Sequence, residues 1–448
     1  MPTVEELLAR AARPSKDALR MHPFYRGKLQ VAPKCAIRDF SDFSIWYSPG
    51  VAAPCKDIQA NPEKVFEHTN KGNLIAVVTN GTRVLGLGDI GPEASLPVME
   101  GKAILFKYLG GVDAVPIALR TKDPAQFIET VKLLEPAFGG INLEDISQPE
   151  CFRILDTLRA EMRIPVWHDD QQGTACVILA GLLNALKIVG KRLQDARIVL
   201  FGVGAANVAT YRLLRVSGAD PARIVAVDSR GTLHRGRGDI EAAQADFAVK
   251  WRICLETNGD GLVGTVADAL KGADVFIGAS TPGPGVIKPE WVRGMAKDAV
   301  VFPCANPVPE IWPWEAREAG ARIVGTGRSD FPNQINNSLG FPGIFRGVLD
   351  VRARTITDEM AVAAAEEIAR VAEERGLSDD RIVPDMDDED LYPRCAVATA
   401  LKAREQGIAL LEKTREELYR EAAAAVRGAR EMTRILMEQG VIAPAPAE

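Results

Sequence analysis

Ala196-Arg197-Ile198-Val199-Leu200-Phe201-Gly202-Val203-Gly204-Ala205-Ala206-Asn207 is the stretch that decides the fold. The apolar run over 196–201 reads as a buried strand, Gly202 to Asn207 as a glycine-rich turn, and residues 208–217 as a helix. A second apolar run, 223–228, ends in Asp228. Strand, turn, helix, strand and terminal acid in register make the βαβ fingerprint of a dinucleotide site, where glycines admit a pyrophosphate to the helix N-terminus. Gly202, Gly204, Ala205, Ala206 and Asn207 are the candidates for that turn, with Asn207 replacing the third small residue. A purely structural glycine turn would not account for the acid in register. Asp228 suits the ribose hydroxyls of NAD, yet Ser229, Arg230, Arg235 and Arg237 follow and suit a 2′-phosphate, so NAD and NADP both stay open.

Downstream, apolar runs at 275–278, 300–303 and 323–326 continue a doubly wound α/β pattern. Each precedes loop residues suited to a cofactor: Ala279-Ser280-Thr281, Asn306-Pro307 and Gly327-Arg328-Ser329-Asp330. Asn333-Gln334-Ile335-Asn336-Asn337 is a dense amide cluster; amides commonly form turns, but this density invites a carboxylate. Beyond it, residues 361–375, 394–407 and 412–438 read as helices, 385–390 as an acidic linker, and 444–448 as a frayed end.

Upstream lies a first α/β unit. Residues 4–19 have the spacing of a surface helix, and 74–79 of a buried strand. Asn80-Gly81 signals a hairpin to a short strand at 84–87, followed by a glycine-rich loop through Gly91. Strands at 112–117, around Ile141 and at 165–167 alternate with helices from about 97, over 124–134 and over 151–162, implying a mainly parallel sheet. Ligands of such sheets gather at the carboxyl ends of the strands, where Asp89, Glu144, Asp145, Asp169 and Asp170 fall. Carboxylates from two strand ends repel unless a divalent cation sits between them, and oxygen donors suit Mg²⁺ or Mn²⁺. Asp169-Asp170 alone could be a helix cap; with Glu144-Asp145 the metal reading overtakes it. Lys102 could snorkel to solvent, or, held in the cleft beside a metal, have a lowered pKa and act as a base. Tyr47, just before a Ser-Pro-Gly turn, is either a core aromatic or a site residue. A long apolar helix over 174–189 joins the two halves.

At 448 residues, 47% hydrophobic and 25% charged, the chain is long enough for two or three well-filled domains. A net charge of −6 argues against nucleic acid or anionic membrane as partner. The N-terminus lacks a basic, apolar leader, and no window reaches membrane-spanning length without charge, so the cytoplasm is expected. Seven scattered cysteines without C-x-x-C spacing read as free thiols.

Over nearly its whole length the sequence resembles the malic enzymes of the shorter prokaryotic type. The resemblance rests on Tyr47-Ser48-Pro49-Gly50-Val51, Gly81-Thr82-Arg83-Val84-Leu85-Gly86-Leu87-Gly88-Asp89-Ile90-Gly91, Pro97-Val98-Met99-Glu100-Gly101-Lys102, Leu143-Glu144-Asp145-Ile146, His168-Asp169-Asp170-Gln171 and Thr326-Gly327-Arg328-Ser329-Asp330. It implies an α/β fold of two domains: an N-terminal catalytic domain over 1–165 and a Rossmann-like NAD(P)-binding domain over 166–390, with a helical segment over 391–448. It implies oxidative decarboxylation of L-malate to pyruvate and CO₂. Glu144, Asp145 and Asp170 would ligate Mg²⁺ or Mn²⁺ with Asp169 beside them, Lys102 would be the base and Tyr47 the acid. Arg83, Asn306, Asn337 and neighbouring Asn336 would bind substrate; Ser280, Asn306 and the fingerprint residues would bind cofactor. A homodimer or higher homo-oligomer is expected. Gln172 stands where many relatives have His, and Ser48 where Thr is commoner. Rival readings are an alkylmalate-type substrate, a metal-free amino-acid dehydrogenase and a non-catalytic nucleotide sensor; the acidic ligands argue against the second and the acid–base pair against the third.

Overall fold

The computed structural model describes residues 4–328 and 330–446, without the side chains of residues 4, 5 and 7–11. Ser329, of the third cofactor loop, and the last two residues of the tail lie outside the described residues. A leading helix, α1 (Val4–Tyr25), precedes a sheet of four parallel strands: β1 (Leu74–Thr79), β2 (Asp113–Ala118), β3 (Gly140–Leu143) and β4 (Val166–His168), ordered β2-β1-β3-β4. Parallel neighbours need crossovers, and α2 (Gly91–Gly110), α3 (Pro124–Leu134) and α4 (Glu150–Glu161) supply them. The apolar α5 (Thr174–Ile188) leads to the second sheet. Its strands are β5 (Ile198–Phe201), β6 (Ile224–Asp228), β7 (Gly231–Thr232), β8 (Val275–Gly278), β9 (Val300–Pro303) and β10 (Ile323–Val324). They run β10-β9-β8-β5-β6-β7, parallel except for β7, with α6 (Ala205–Val216) crossing from β5 to β6. The strand order reverses between β5 and β8, which opens a crevice at their carboxyl ends.

Two sequence expectations fail around α2. Asn80-Gly81 is not a hairpin and 84–87 is not a strand: Val84 bridges only Gly88, and the Gly81 carbonyl accepts the N–H groups of Ile90 and Gly91. The segment closes on itself as a loop above β1, because that strand is paired on both edges, by parallel β2 and β3. The helix starts at Gly91, six residues before Pro97, because Pro92 fits the first turn, where a missing N–H costs nothing.

Four C-terminal helices follow: α7 (Phe341–Asp350), α8 (Asp358–Glu374), α9 (Leu391–Glu405) and α10 (Arg415–Glu438). Phe341 and Phe345 of α7 pack on Phe106 of α2, with ring centroids 4.5 and 5.1 Å apart. Along α5, Asn184 Nδ2 donates to the carbonyl of Ala369 in α8 at 2.8 Å. The tail expected to fray is tied to α1 through residue 446, since Tyr25 Oη donates to Ala443 O at 2.9 Å and Arg20 Nη1 to Pro446 O at 2.6 Å. Among the described residues no helix is long and apolar enough to cross a membrane.

Candidate active site

Adjacent strands β3 and β4 deliver two acidic pairs to one edge of the first sheet. Glu144 and Asp145 follow Leu143, and Asp169 and Asp170 follow His168. Residues Asp169–Gly173 form a π-helical turn that runs into α5, a conformation that recurs at functional sites. A Cβ on Gly173 would lie 1.9 Å from Asp169 Oδ1, so only glycine leaves room for that carboxylate. Lys102, buried on α2, reaches across with Nζ 2.6 Å from Asp169 Oδ2 and 3.1 Å from Glu144 Oε1, and 4.5 Å above the Phe341 ring. Three of the four acids are held from behind: Trp167 Nε1 donates to Asp169 Oδ1 at 3.0 Å, Asn142 Nδ2 to Glu144 Oε2 at 2.9 Å, and the Asp145 N–H to Asp170 Oδ2 at 2.8 Å.

Burial lifts three of the carboxyl groups above their ordinary range. Glu144 is raised well above it, by burial and then by neighbouring carboxylates despite Lys102; Asp145 is pushed up to about 8, by burial and then by Asp170. Asp170 is also raised by burial. Burial alone would lower Lys102, as expected for a base, but Asp169 and Glu144 outweigh it and raise the ammonium instead. His168 is fully buried, pushed down to about 3 by burial and therefore neutral; neither ring nitrogen makes a hydrogen bond among the described residues, though Nδ1 lies 3.6 Å from Asp170 Oδ2. No group of three His, Cys, Asp or Glu side chains among the described residues already converges as a ligand cage. The donor chemistry nevertheless fits a hard divalent cation: Asp145 Oδ2 is buried without a hydrogen-bond partner, beside two further crowded carboxylates.

The remaining predicted residues divide. Arg83 donates its backbone N–H to Asp145 O at 3.0 Å, and its exposed guanidinium is near enough to Asp170 to favour that carboxylate's charged form. Asp89 stands apart, exposed and paired with Lys122 at 2.5 Å. The structure does not bring Tyr47 into the cluster: its side chain is 72% exposed and its hydroxyl makes no hydrogen bond among the described residues. Asn306 does approach the first half, because a Cβ on Gly86 would sit 2.4 Å from its carbonyl oxygen. Asn336 spends its amide on the loop itself, donating to Gly327 O and accepting from the Ser338 N–H, both at 3.0 Å. Neighbouring Asn337 is half-buried, and its amide has no partner among the described residues.

At the second sheet, Gly202 has φ +88°, and the nearest atom to a Cβ on Gly204 would be Gln148 Nε2 at 3.9 Å. That is an open cradle before the twelve-residue α6, whose first N–H groups belong to Ala205 and Ala206, and it fits a pyrophosphate. Asn207 turns its amide inward, donating to the carbonyls of Phe201 at 3.0 Å and Gly202 at 2.9 Å, so it holds the turn. Asp228 is not open either. It accepts from the Arg230 N–H at 2.9 Å, from Arg237 Nη1 and Nη2 at 3.0 Å, and pairs with Lys250 at 2.6 Å. Arg237 is shared with Asp239, as is the exposed Arg230. Ser229 is exposed, and Ser280 is hydrogen-bonded to Glu310. Sequence reasoning missed Asn142, Lys250, Asp239 and Glu310. Asn142 was findable as a polar residue inside an apolar strand; nothing in the local pattern flagged the others.

The chain matches two family descriptions: "Malic enzyme, N-terminal domain" over residues 26–126 and 120–159, and "Malic enzyme, NAD binding domain" over residues 171–403. It is similar to the bifunctional malic/malolactic enzyme of Bacillus subtilis, 51% identical over 90% of this chain and 96% of that one. It is likewise similar to the NADP-dependent malic enzyme of Halomonas elongata, 44% identical over 86% and 92% of the two chains. Among solved structures, the malic enzyme of Entamoeba histolytica aligns with a TM-score of 0.96 at 48% identity, covering 100% of this chain and 94% of that one.

Proposed function

The chain belongs to the malic enzyme family, and from that membership we propose that it oxidises L-malate at C2 and releases its C4 carboxylate as CO₂, giving pyruvate and NAD(P)H. The observation that carries the reading is the buried Lys102–Asp169–Glu144 cluster at the strand ends, an acid–base centre set among hard oxygen donors. Glu144, Asp145 and Asp170 would hold Mg²⁺ or Mn²⁺, which when bound supplies Lewis-acid polarisation of oxygens that gain negative charge. The dinucleotide, over the Gly202–Ala206 cradle, supplies the hydride acceptor.

The side chains handle the protons. Lys102 Nζ takes the C2 hydroxyl proton, and must first shed its own; Asp169 Oδ2 at 2.6 Å is placed to share it, held in orientation by Trp167. Family membership assigns the proton returned to the enol after CO₂ leaves to Tyr47, whose hydroxyl makes no hydrogen bond among the described residues and stands outside the cluster of a single chain. Arg83, Asn306 and Asn337 bind the substrate carboxylates, with Asn336 shaping their loop. Ser280 and the α6 N-terminus take the cofactor, while Asp228, Ser229 and Arg230 border its ribose. The division at 1–165, 166–390 and 391–448 belongs to the same reading, supported by the two separate sheets. So do a homodimer and a cytoplasmic location, the latter supported by seven free thiols.

The test is reduction of NAD⁺ and of NADP⁺ with L-malate and Mn²⁺, with and without chelator, while pyruvate is assayed. Chelator-sensitive reduction matched by pyruvate is expected, and Lys102→Ala should lose about 10²–10⁴-fold in turnover while keeping its circular-dichroism spectrum. Reduction without pyruvate, or a Lys102→Ala variant as fast as the parent, would reject the assignment.

A further inference from the structure

Glu310 is fully buried, yet neither the acidic cluster nor the glycine turn uses it. Its Oε1 accepts the Ser280 N–H at 3.0 Å and the Ser280 Oγ–H at 3.1 Å, and its Oε2 accepts the Ala305 N–H at 3.1 Å. Ser280 lies just beyond β8, and Ala305 precedes Asn306 just beyond β9. One carboxylate thus joins the two loops that leave the carboxyl ends of neighbouring strands, the ends that face the cofactor in a doubly wound sheet. Glu310 forms no ion pair among the described residues; N–H and O–H donors alone satisfy it. The last residue of β8 is shaped around it, because a Cβ on Gly278 would lie 2.7 Å from Oε1. From its own backbone, the Glu310 carbonyl accepts the Ile287 N–H at 3.1 Å, which ties the far side of the 279–287 segment to the same residue.

We infer that Glu310 is a positioning residue for the dinucleotide, fixing the spacing of the Ser280 and Asn306 loops and turning the Ser280 hydroxyl into an acceptor. A serine hydroxyl has one proton and two lone pairs. With the proton given to Glu310, Ser280 Oγ can only accept from the cofactor, so its partner is a donor such as a ribose hydroxyl or the carboxamide NH₂. The inference rests on the malic enzyme reading for the identity of the ligand. Glutamine cannot replace Glu310, because all three groups facing it donate: whichever way the amide turns, its NH₂ meets a donor.

The experiment is titration of the folded full-length protein with NAD⁺ and NADP⁺ by calorimetry, for the parent, Glu310→Gln, Ser280→Ala and the double variant. Kinetic constants are read alongside. Glu310→Gln should weaken dinucleotide affinity by about tenfold or more, the cost of leaving buried donors unpaired. At saturating dinucleotide the KM for malate should rise by a smaller factor than the dinucleotide Kd, since Asn306 is the one proposed substrate contact on a loop that Glu310 fixes. Adding Ser280→Ala to Glu310→Gln should cost less than about twofold more, because residues acting through one another are not additive. Dinucleotide affinity unchanged within about twofold, or losses that multiply in the double variant, would overturn the inference. If Glu310→Gln does not fold, Glu310→Asp is judged on the same constants, since it keeps the charge but cannot span both loops. Titration needs no turnover, so a parent that fails to make pyruvate rejects the malate reading while leaving Glu310 to be judged by binding.

Discussion

Asp145 carries a stability cost that reveals what the cluster is for. Its carboxyl is pushed up to about 8 in the fold, by burial and then by Asp170, against an ordinary value of about 3.9. Between those values the folded chain keeps a proton that the unfolded chain releases. The contribution is therefore fully present below about pH 4 and is lost progressively as the pH rises through the folded value. Glu144 and Asp170 shift in the same direction. A divalent cation competes with those protons, so it binds best where the carboxyls are most willing to ionise. The metal-free protein should melt at a lower temperature at pH 8 than at pH 5.5, and Mn²⁺ should raise Tm more at pH 8. Differential scanning calorimetry at both pH values decides it: an equal Mn²⁺ shift would mean that these carboxylates are not the ligands.

The loop over 80–91 connects the two sheets through Gly86, whose absent side chain lets it lie against Asn306 and Pro282. A Cβ there would meet Pro282 Cγ at 2.7 Å and Asn306 O at 2.4 Å, so alanine must push the loops of the second sheet away from the acidic edge of the first. Displacement of about 1 Å at a reacting centre can cost on the order of 10²-fold in rate. Gly86→Ala should therefore lower kcat/KM for malate by at least about tenfold while leaving Tm within a few degrees; steady-state kinetics with a thermal melt reads both. That contact was not legible in the sequence, where Asn80-Gly81 pointed to a hairpin, because local turn signals say nothing about which strands flank β1. The long elements were legible: α3, β8 and β9 fall where their apolar periodicity put them. So were the four acids as a group, because strand ends of a parallel sheet share one edge, whereas Lys102 reaches them from α2. α7 went unread for a physical reason. Nine of its ten residues are buried, which erases the polar face that marks a helix, and Pro342, Gly343 and Gly347 mimic a loop. Those glycines instead admit α9, since a Cβ on Gly347 would meet Ala396 O at 2.3 Å.

The apolar surface of the whole chain is unevenly distributed. Phe40 is 91% exposed, Ile45 54%, Trp46 48% and Tyr47 72%, and Ile37, Phe43 and Val51 add to the same stretch. Isolated exposed apolar residues need no explanation, but a contiguous run on one segment marks an interaction surface. Its residues are held rather than loose: Asp42 accepts from Arg38 at 2.6 Å, and the Gly50 N–H donates to Ser44 O at 2.9 Å. An ordered apolar ridge can associate without first incurring the entropy of ordering. A standard interface hides about 800 Å² on each partner, an area that several exposed aromatic side chains of about 150–250 Å² each can supply in large part. If the proposed homodimer uses this ridge, a charge placed within it should dissociate the dimer without unfolding the chain, since none of these residues belongs to the core. Ile45→Asp should sediment at the mass of one chain under conditions where the parent sediments at twice that mass, with an unchanged circular-dichroism spectrum. A parent already monomeric at micromolar concentration would remove the homodimer, and an Ile45→Asp variant still dimeric would move its interface elsewhere.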